Sequence, residues 1–250
     1  MDRRTFTLGV SGLVAGLSTA GYGQSRQRGI PRWGAWRKIP SIVVLSSEND
    51  PRLPAVREAV DFWNSEFSTL DSPFRLGEIT YTVKLLSIDD LRPFVVEYGA
   101  TPPPDELSRS YNRVTRSFNL PPSIRYLEGD VIVALSDGKF RSITIGSLAP
   151  TKILMAVESH QNYPLSKPHG ARNVLAHEFG HAIGLGHNND ATSLMCGLET
   201  PWCAFTYPAE GFLPLGSEDK VELRKMYPPS WQADPFPRWR DYPAVNRNAG

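Results

Sequence analysis

His177-Glu178-Phe179-Gly180-His181-Ala182-Ile183-Gly184-Leu185-Gly186-His187 is the stretch from which the rest of the chain can be read. On a helix, side chains four positions apart share a face, so His177 and His181 present two imidazoles to one ion. Glu178 lies one residue along, rotated off that face, where its carboxylate reaches a metal-bound water rather than the metal. A helix continuing through His187 would turn that residue away, so the chain must bend after His181. Gly184 suits the bend, because glycine enters positive φ at little steric cost and can end the helix there. His187 then returns as a third ligand. Three neutral nitrogens leave the fourth tetrahedral position to water, the arrangement of a catalytic zinc rather than a closed structural one. Zinc lowers the pKa of that water to about 7, and Glu178 takes its proton as the water attacks a polarised carbonyl. The chemistry expected is metal-assisted hydrolysis.

The run matches H-E-x-x-H-x-x-G-x-x-H, and Ser193-Leu194-Met195-Cys196 follows it. In both features the chain resembles the metzincin metallopeptidases, whose signature ends in a methionine turn. Within them it is most similar to the matrixins, the matrix metalloproteinase branch, on Val174-Leu175-Ala176 before the first His, Leu185-Gly186-His187, Leu194-Met195, and Leu215 to Tyr227. The resemblance implies an α+β zincin fold. That fold is a twisted, mostly parallel five-stranded sheet with an antiparallel edge strand, two long helices packed on it, and a small C-terminal subdomain with one closing helix. It also implies Met195 as an apolar floor under the metal rather than a ligand, and an edge strand from Phe140 to Gly146 to which extended protein or peptide substrates add themselves. Trp202 to Phe212 would form the wall of the pocket for the residue after the scissile bond. Two departures stand out. Matrixins usually follow the methionine with Tyr-Pro, where this chain has Cys196-Gly197, and the zinc-facing Tyr that some metzincins carry two residues after it is replaced by Gly197. Matrixins also hold a structural zinc through several loop histidines. His160 and His169 are too few for that and read as ordinary loop residues, and calcium is left unplaced because no acidic loop has a recognisable ligand spacing.

From its beginning, the chain shows Arg3-Arg4 ahead of a mildly apolar run, Leu8 to Ala20, too short to span a bilayer. Residues 1–23 read as a twin-arginine export signal cleaved after Ala20 or Gly23, placing the protein in the periplasm or outside the cell. Residues 24–40 form a basic leader holding Trp33 and Trp36 that lies on the domain or stays mobile. Residues 41–229 are read as one catalytic domain, and with 40% hydrophobic residues in the chain there is enough apolar material for its core. Residues 1–38 hold seven Lys or Arg and one Asp, so acids outnumber bases beyond Ile39. That balance argues against a nucleic-acid partner; no apolar run after the signal suggests a membrane anchor, and a monomer is expected.

Ser41 to Leu45 reads as a first strand closed by the polar Ser46 to Pro51, Pro54 to Leu70 as a long helix, and Ile79 to Leu86 as a second strand. Residues 88–121 read as a surface insertion with a helix from Asp105 to Phe118. Asp130 to Leu135 is a central strand, and the Asp137-Gly138 turn leads into Phe140 to Ile145 as its antiparallel partner. Lys152 to Val157 is a further strand, and the zinc helix is placed at 170–184. The lower subdomain, 188–229, holds Cys196 and Cys203, which an oxidising compartment would join in a disulfide; the alternative is Cys196 as a free thiol near the metal. Leu215 to Met226 is the closing helix, stopped by Pro228-Pro229, and residues 230–250 are a Pro-, Arg- and Trp-rich tail, disordered or wrapped on the surface. The function expected is a secreted zinc endopeptidase. Its rivals are a zinc-holding module that grips peptides without cutting them, and an amidase acting on cell-wall peptides.

Overall fold

The β-branched run after Ser41 forms β1, Ile42–Ser46, with every residue buried. The computed structural model describes residues 35–95, 124, 126–146, 152–197 and 211–234. The export signal, Trp33, the helix expected at Asp105 to Phe118, Cys203 and most of the tail lie outside the described residues. Helix α1, Leu53–Thr69, follows with Pro54 in its first turn and buries Val56, Ala59, Val60, Trp63 and Phe67. That spacing is one helical face. Strand β2, Ile79–Val83, is shorter than expected: Lys84 still donates to Ser46 O, but Leu86 then turns into a core on the far side of the sheet. A short helix α2, Ile88–Leu91, is capped by Ser87. Strands β3 (Val131–Leu135), β4 (Ile143–Gly146) and β5 (Ile153–Val157) complete the sheet, and helices α3 (Pro168–Ala182) and α4 (Ser217–Met226) complete the domain.

The strand order is β2-β1-β3-β5-β4. Three pairings are parallel, and β4 runs antiparallel to β5 with Thr144 opposite Met155. The expected α+β architecture is therefore present, with α1 and α3 as its two long helices and α4 as the closing one. The hairpin expected between Asp130–Leu135 and Phe140–Ile145 is not formed. Central strand β3 is flanked by β1 and β5 and has no edge free to receive β4, so the chain crosses from Ser136 to Ser142 and β4 pairs with β5 at the margin.

Both faces of the sheet are covered, which accounts for the unbroken apolar runs in β1, β3 and β5. Ile42, Val44, Val131, Val133, Met155 and Val157 point to the core beneath α1 and α3. Val43, Leu45, Ile132, Leu154 and Ala156 face a second core closed by Leu86, Leu91, Phe94, Val95, Ile124 and Phe140. The start of the segment read as a surface insertion is thus the lid of that second core. Ile88, Leu91, Phe94 and Val95 are spaced as on one helical face, but the helix formed there is only four residues long. Between β1 and α1, Arg52 and Asp50 form a pair whose side chains are each 1% exposed. Arg52 also donates through Nη1 to Ser136 O and to Glu158 O, tying the ends of β3 and β5 together.

The leader does not stay mobile at its end. Trp36 is 4% exposed and donates from Nε1 to Ala182 O at 2.8 Å. Trp231, from the expected tail, donates to Trp36 O and packs edge-on to Phe74. Tail residues 231–234 therefore wrap the domain, and Asp234 N donates to Arg37 O. Among the described residues, no helix is long and apolar enough to cross a membrane.

Candidate metal centre

Helix α3 begins two residues earlier than its sequence pattern indicates, at Pro168, whose missing N–H costs nothing in a first turn. His169 consequently sits in the helix rather than in a loop. The helix is fixed from several sides. Trp63 Nε1 on α1 donates to Ala176 O at 2.8 Å. Asn173 accepts from Leu213 N at 2.7 Å and donates to Gly211 O, which ties the lower segment to the helix.

The bend falls where the motif placed it. Gly184 has φ +103°, a left-handed conformation that a side chain would strain. Leu185 N donates to Gly180 O and Gly184 N to His181 O, both at 2.9 Å, the two bonds of a Schellman stop. Tyr227 Oη donates to Ile183 O at 2.8 Å, and Trp36 Nε1 to the carbonyl before it, so the last carbonyls of the helix are held by residues from both ends of the domain.

Beyond this bend the three expected imidazoles meet. Nε2 of His181 lies 3.0 Å from that of His177 and 3.2 Å from that of His187, and the third edge is also 3.2 Å. Among the described residues they form the one group of three or more side chains able to hold a metal ion; His160 and His169 are not in it. The ring orientations are set from outside. Nδ1 of His177 donates to Leu194 O at 2.7 Å, and Nδ1 of His181 to Leu185 O at 2.9 Å. A carbonyl can only accept, so each of these neutral rings carries its proton on Nδ1 and leaves a bare lone pair on Nε2. Burial, and then the neighbouring His187, push His177 down to about 3; burial and then Arg141 push His187 down to about 4; and His181 lies well below the ordinary value, for burial first. Lone pairs aimed at one another across about 3 Å repel unless a cation lies between them. Tetrahedral zinc with Zn–N bonds of about 2.0–2.1 Å sets its ligand nitrogens roughly 3.3 Å apart. The donor set therefore fits zinc in type, protonation and spacing.

Glu178 is 5% exposed, and burial raises its carboxyl to about 7 against the opposing pull of a hydrogen bond from Thr144. Thr144 Oγ1 lies 2.6 Å from Glu178 Oε2 and 3.0 Å from Glu178 O. Nothing in the sequence singled out Thr144, since threonine in a strand is an ordinary β-former.

Met195 is fully buried and lies against the helix at Gly180, where an added Cβ would meet its Cε at 2.9 Å and Trp63 at 3.0 Å. The methionine turn is pinned by Leu194 N to Pro214 O and by Asn188 N to Met195 O, both at 2.8 Å. Asp219 on α4 accepts from Asn188 Nδ2, Ser193 Oγ and Gly216 N, joining the residue after His187 to the turn. Sequence reading missed Asp219; its only signal was a place in the first turn of the closing helix. Gly197 has a reason of its own: a Cβ there would meet His187 Cβ at 2.9 Å and Cγ at 3.2 Å. Cys196 is disulfide-bonded, not a free thiol, and the chain's only other cysteine is Cys203. Of the expected pocket wall only Gly211 and Phe212 are described, and Phe212 stacks on Phe62 of α1 with ring centroids 4.5 Å apart.

Residues 139–227 match the profile of the matrixin family. No curated protein matches the chain. Among solved structures it is similar to archaemetzincin from Methanopyrus kandleri, at 14% identity, covering 78% of this chain and 97% of that one, with a TM-score of 0.39. It is similar to metalloproteinase-II from Bacteroides fragilis at 13% identity, covering 82% and 59%, with a TM-score of 0.42. Myroilysin follows at 12%, covering 78% and 86%, with a TM-score of 0.32. The histidine motif, whose three imidazoles could hold a metal ion, lies inside the matched stretch, which is about a third of the chain. The chain's matrixin likeness is confined to the stretch from Lys139 to Tyr227, which holds the edge strand, the zinc helix, the methionine turn and the closing helix.

Proposed function

We propose that this protein is an exported zinc endopeptidase that hydrolyses internal bonds of proteins or peptides, with Glu178 as general base. The observation that carries this reading is the triangle of Nε2 atoms, 3.0 to 3.2 Å on a side, with Glu178 next to the first ligand on the same helix. Zinc held by His177, His181 and His187 supplies Lewis acidity, polarising a carbonyl and lowering the pKa of water to about 7. Glu178 takes the proton of the attacking water on its carboxylate and returns it to the leaving amine nitrogen. Leu194 O and Leu185 O keep the imidazole protons on Nδ1 throughout. Edge strand β4 has β5 on one side, and its other edge suits an extended peptide that adds itself by main-chain hydrogen bonds. This favours peptide chains over compact small molecules.

The test is digestion of unfolded casein and of a proteome-derived peptide library by the zinc-loaded full chain, with and without a chelator, read by mass spectrometry. Internal cleavages that the chelator abolishes are expected. Glu178→Ala is expected to keep its zinc and lose about 10²–10⁴-fold or more in turnover; full activity in that variant overturns the mechanism. Stoichiometric zinc with peptide binding and no cleavage supports the binding module instead, and cleavage confined to cell-wall peptides supports the amidase. For export, fractionation with Arg3 and Arg4 changed to Lys is expected to leave the protein inside the cell, and unchanged export refutes the twin-arginine route.

A further inference from the structure

Strand β4 lies beside the zinc helix and alternates its side chains between the two faces of the sheet. Ile145 points into the core away from that helix. Thr144 points toward α3 and is 5% exposed, opposite Met155 of β5, which lies in the core beneath the helices. An apolar side chain is the ordinary occupant of such a place. Valine has the same shape as threonine, whereas a hydroxyl placed there costs free energy unless it is bonded. Among the described residues the hydroxyl is bonded to Glu178: 2.6 Å to Oε2 and 3.0 Å to the main-chain oxygen of the same residue.

We propose that Thr144 is a positioning residue for Glu178, its hydroxyl holding Oε2 so that Oε1 is the oxygen presented to the reacting water. The inference rests on the peptidase reading above. A glutamate side chain has three rotatable bonds, and nothing in its own chemistry selects one rotamer. The single hydroxyl proton of Thr144 has two acceptors on the same residue, Oε2 at 2.6 Å and the backbone oxygen at 3.0 Å, and the shorter bond holds the carboxylate in one rotamer. Because β4 is also the strand expected to receive substrate, the peptide and the base are registered from the same element. One strand thereby sets the distance between the scissile carbonyl and the oxygen that moves the proton. Misplacement of a reacting group by 1 Å can cost 10²-fold in rate.

The experiment compares wild type with Thr144→Val, Thr144→Ala and Thr144→Ser as zinc-loaded full chains, recording zinc content, melting temperature, kcat and KM on a cleaved peptide, together with crystal structures of wild type and Thr144→Val. Thr144→Val is expected to retain zinc and fold while kcat falls about 10- to 100-fold with KM within about twofold. Thr144→Ser is expected to recover most of the loss, and Glu178 is expected in one conformer in wild type and in several in Thr144→Val. A kcat for Thr144→Val within twofold of wild type, a loss appearing in KM alone, failure of a folded Thr144→Ser to recover, or a single unchanged Glu178 conformer in Thr144→Val overturns the assignment. Should the valine variant not fold, Thr144→Ala is read in its place by the same criteria. Absence of cleavage by wild type sinks the peptidase reading, and the conformers of Glu178 still decide what Thr144 does.

Discussion

Gly197→Ala tests whether the backbone after the methionine turn sets the position of the third ligand. The new Cβ would lie 2.9 Å from His187 Cβ and 3.2 Å from its Cγ, where ordinary contacts are roughly 3.5–4.0 Å. Something must move by about half an ångström or more. Residue 197 is poorly placed to yield, because Gly197 N donates to Asn188 O at 2.9 Å and Asn188 N to Met195 O at 2.8 Å. Asn188 is held in turn by Asp219. The displacement therefore falls on the His187 ring, in a triangle whose edges are 3.0 to 3.2 Å. Ligand constellations tolerate about 0.5 Å. A loss of zinc affinity of about 10- to 100-fold follows, equal to about 1.4 to 2.7 kcal/mol. Fold stability changes less, since overpacking costs about 1–3 kcal/mol while losing a glycine returns about 0.4–1 kcal/mol through the unfolded chain. The assay is competitive titration against a chromogenic zinc chelator, with His187→Ala as the lower bound. Affinity within twofold of wild type refutes the argument.

Three other outcomes are expected. In the zinc-free protein, His177 and His187 stay neutral to about 3 and about 4, so below pH 6.5 the unfolded chain binds protons that the folded one does not, and stability falls with pH. Glu178, raised from 4.5 to about 7, holds an extra proton in the folded chain between those values and so adds stability as pH falls through that window; zinc-free Glu178→Gln should therefore lose stability more steeply between pH 7 and 5, and equal slopes in urea melts would count against these assignments. Asp50→Asn leaves the buried Arg52 guanidinium without its charge partner and should cost about 3–5 kcal/mol in denaturant unfolding; a change below 1 kcal/mol contradicts it. Trp36→Ala removes a 4% exposed ring and the cap on Ala182 O, and a loss of about 3–5 kcal/mol is expected; an unchanged melting temperature would mean that the leader does not support the domain.

The centre was legible because its chemistry is local. Three residues between histidines on a helix, and a glycine where a helix must stop, constrain geometry within about ten positions. The long-range partners were not. Strand β4 was read with its neighbour in sequence, Leu135, because a tight-turn dipeptide lies between them, and nothing local says that β3 has no free edge. Asp50 was read as part of a polar strand end, since burial of a charged pair depends on carbonyls at Ser136 and Glu158 far along the chain. Thr144 carries no pattern and Asp219 only its place in the first turn of the closing helix; the distant partners that define them lie 34 and 26 to 31 residues away. Trp36 was noticed for its size but could not be placed, because its acceptor is 146 residues downstream.

The clasp that joins Trp36 to Ala182, Tyr227 and Trp231 sets an order in time. A chain emerging from the ribosome makes the zinc ligands well before Tyr227 and Trp231, and until those residues are free the carbonyls at the end of the ligand helix lack part of their support. Contacts closing so long a loop form late in folding. Full support for the end of the ligand helix thus waits until the domain is almost whole.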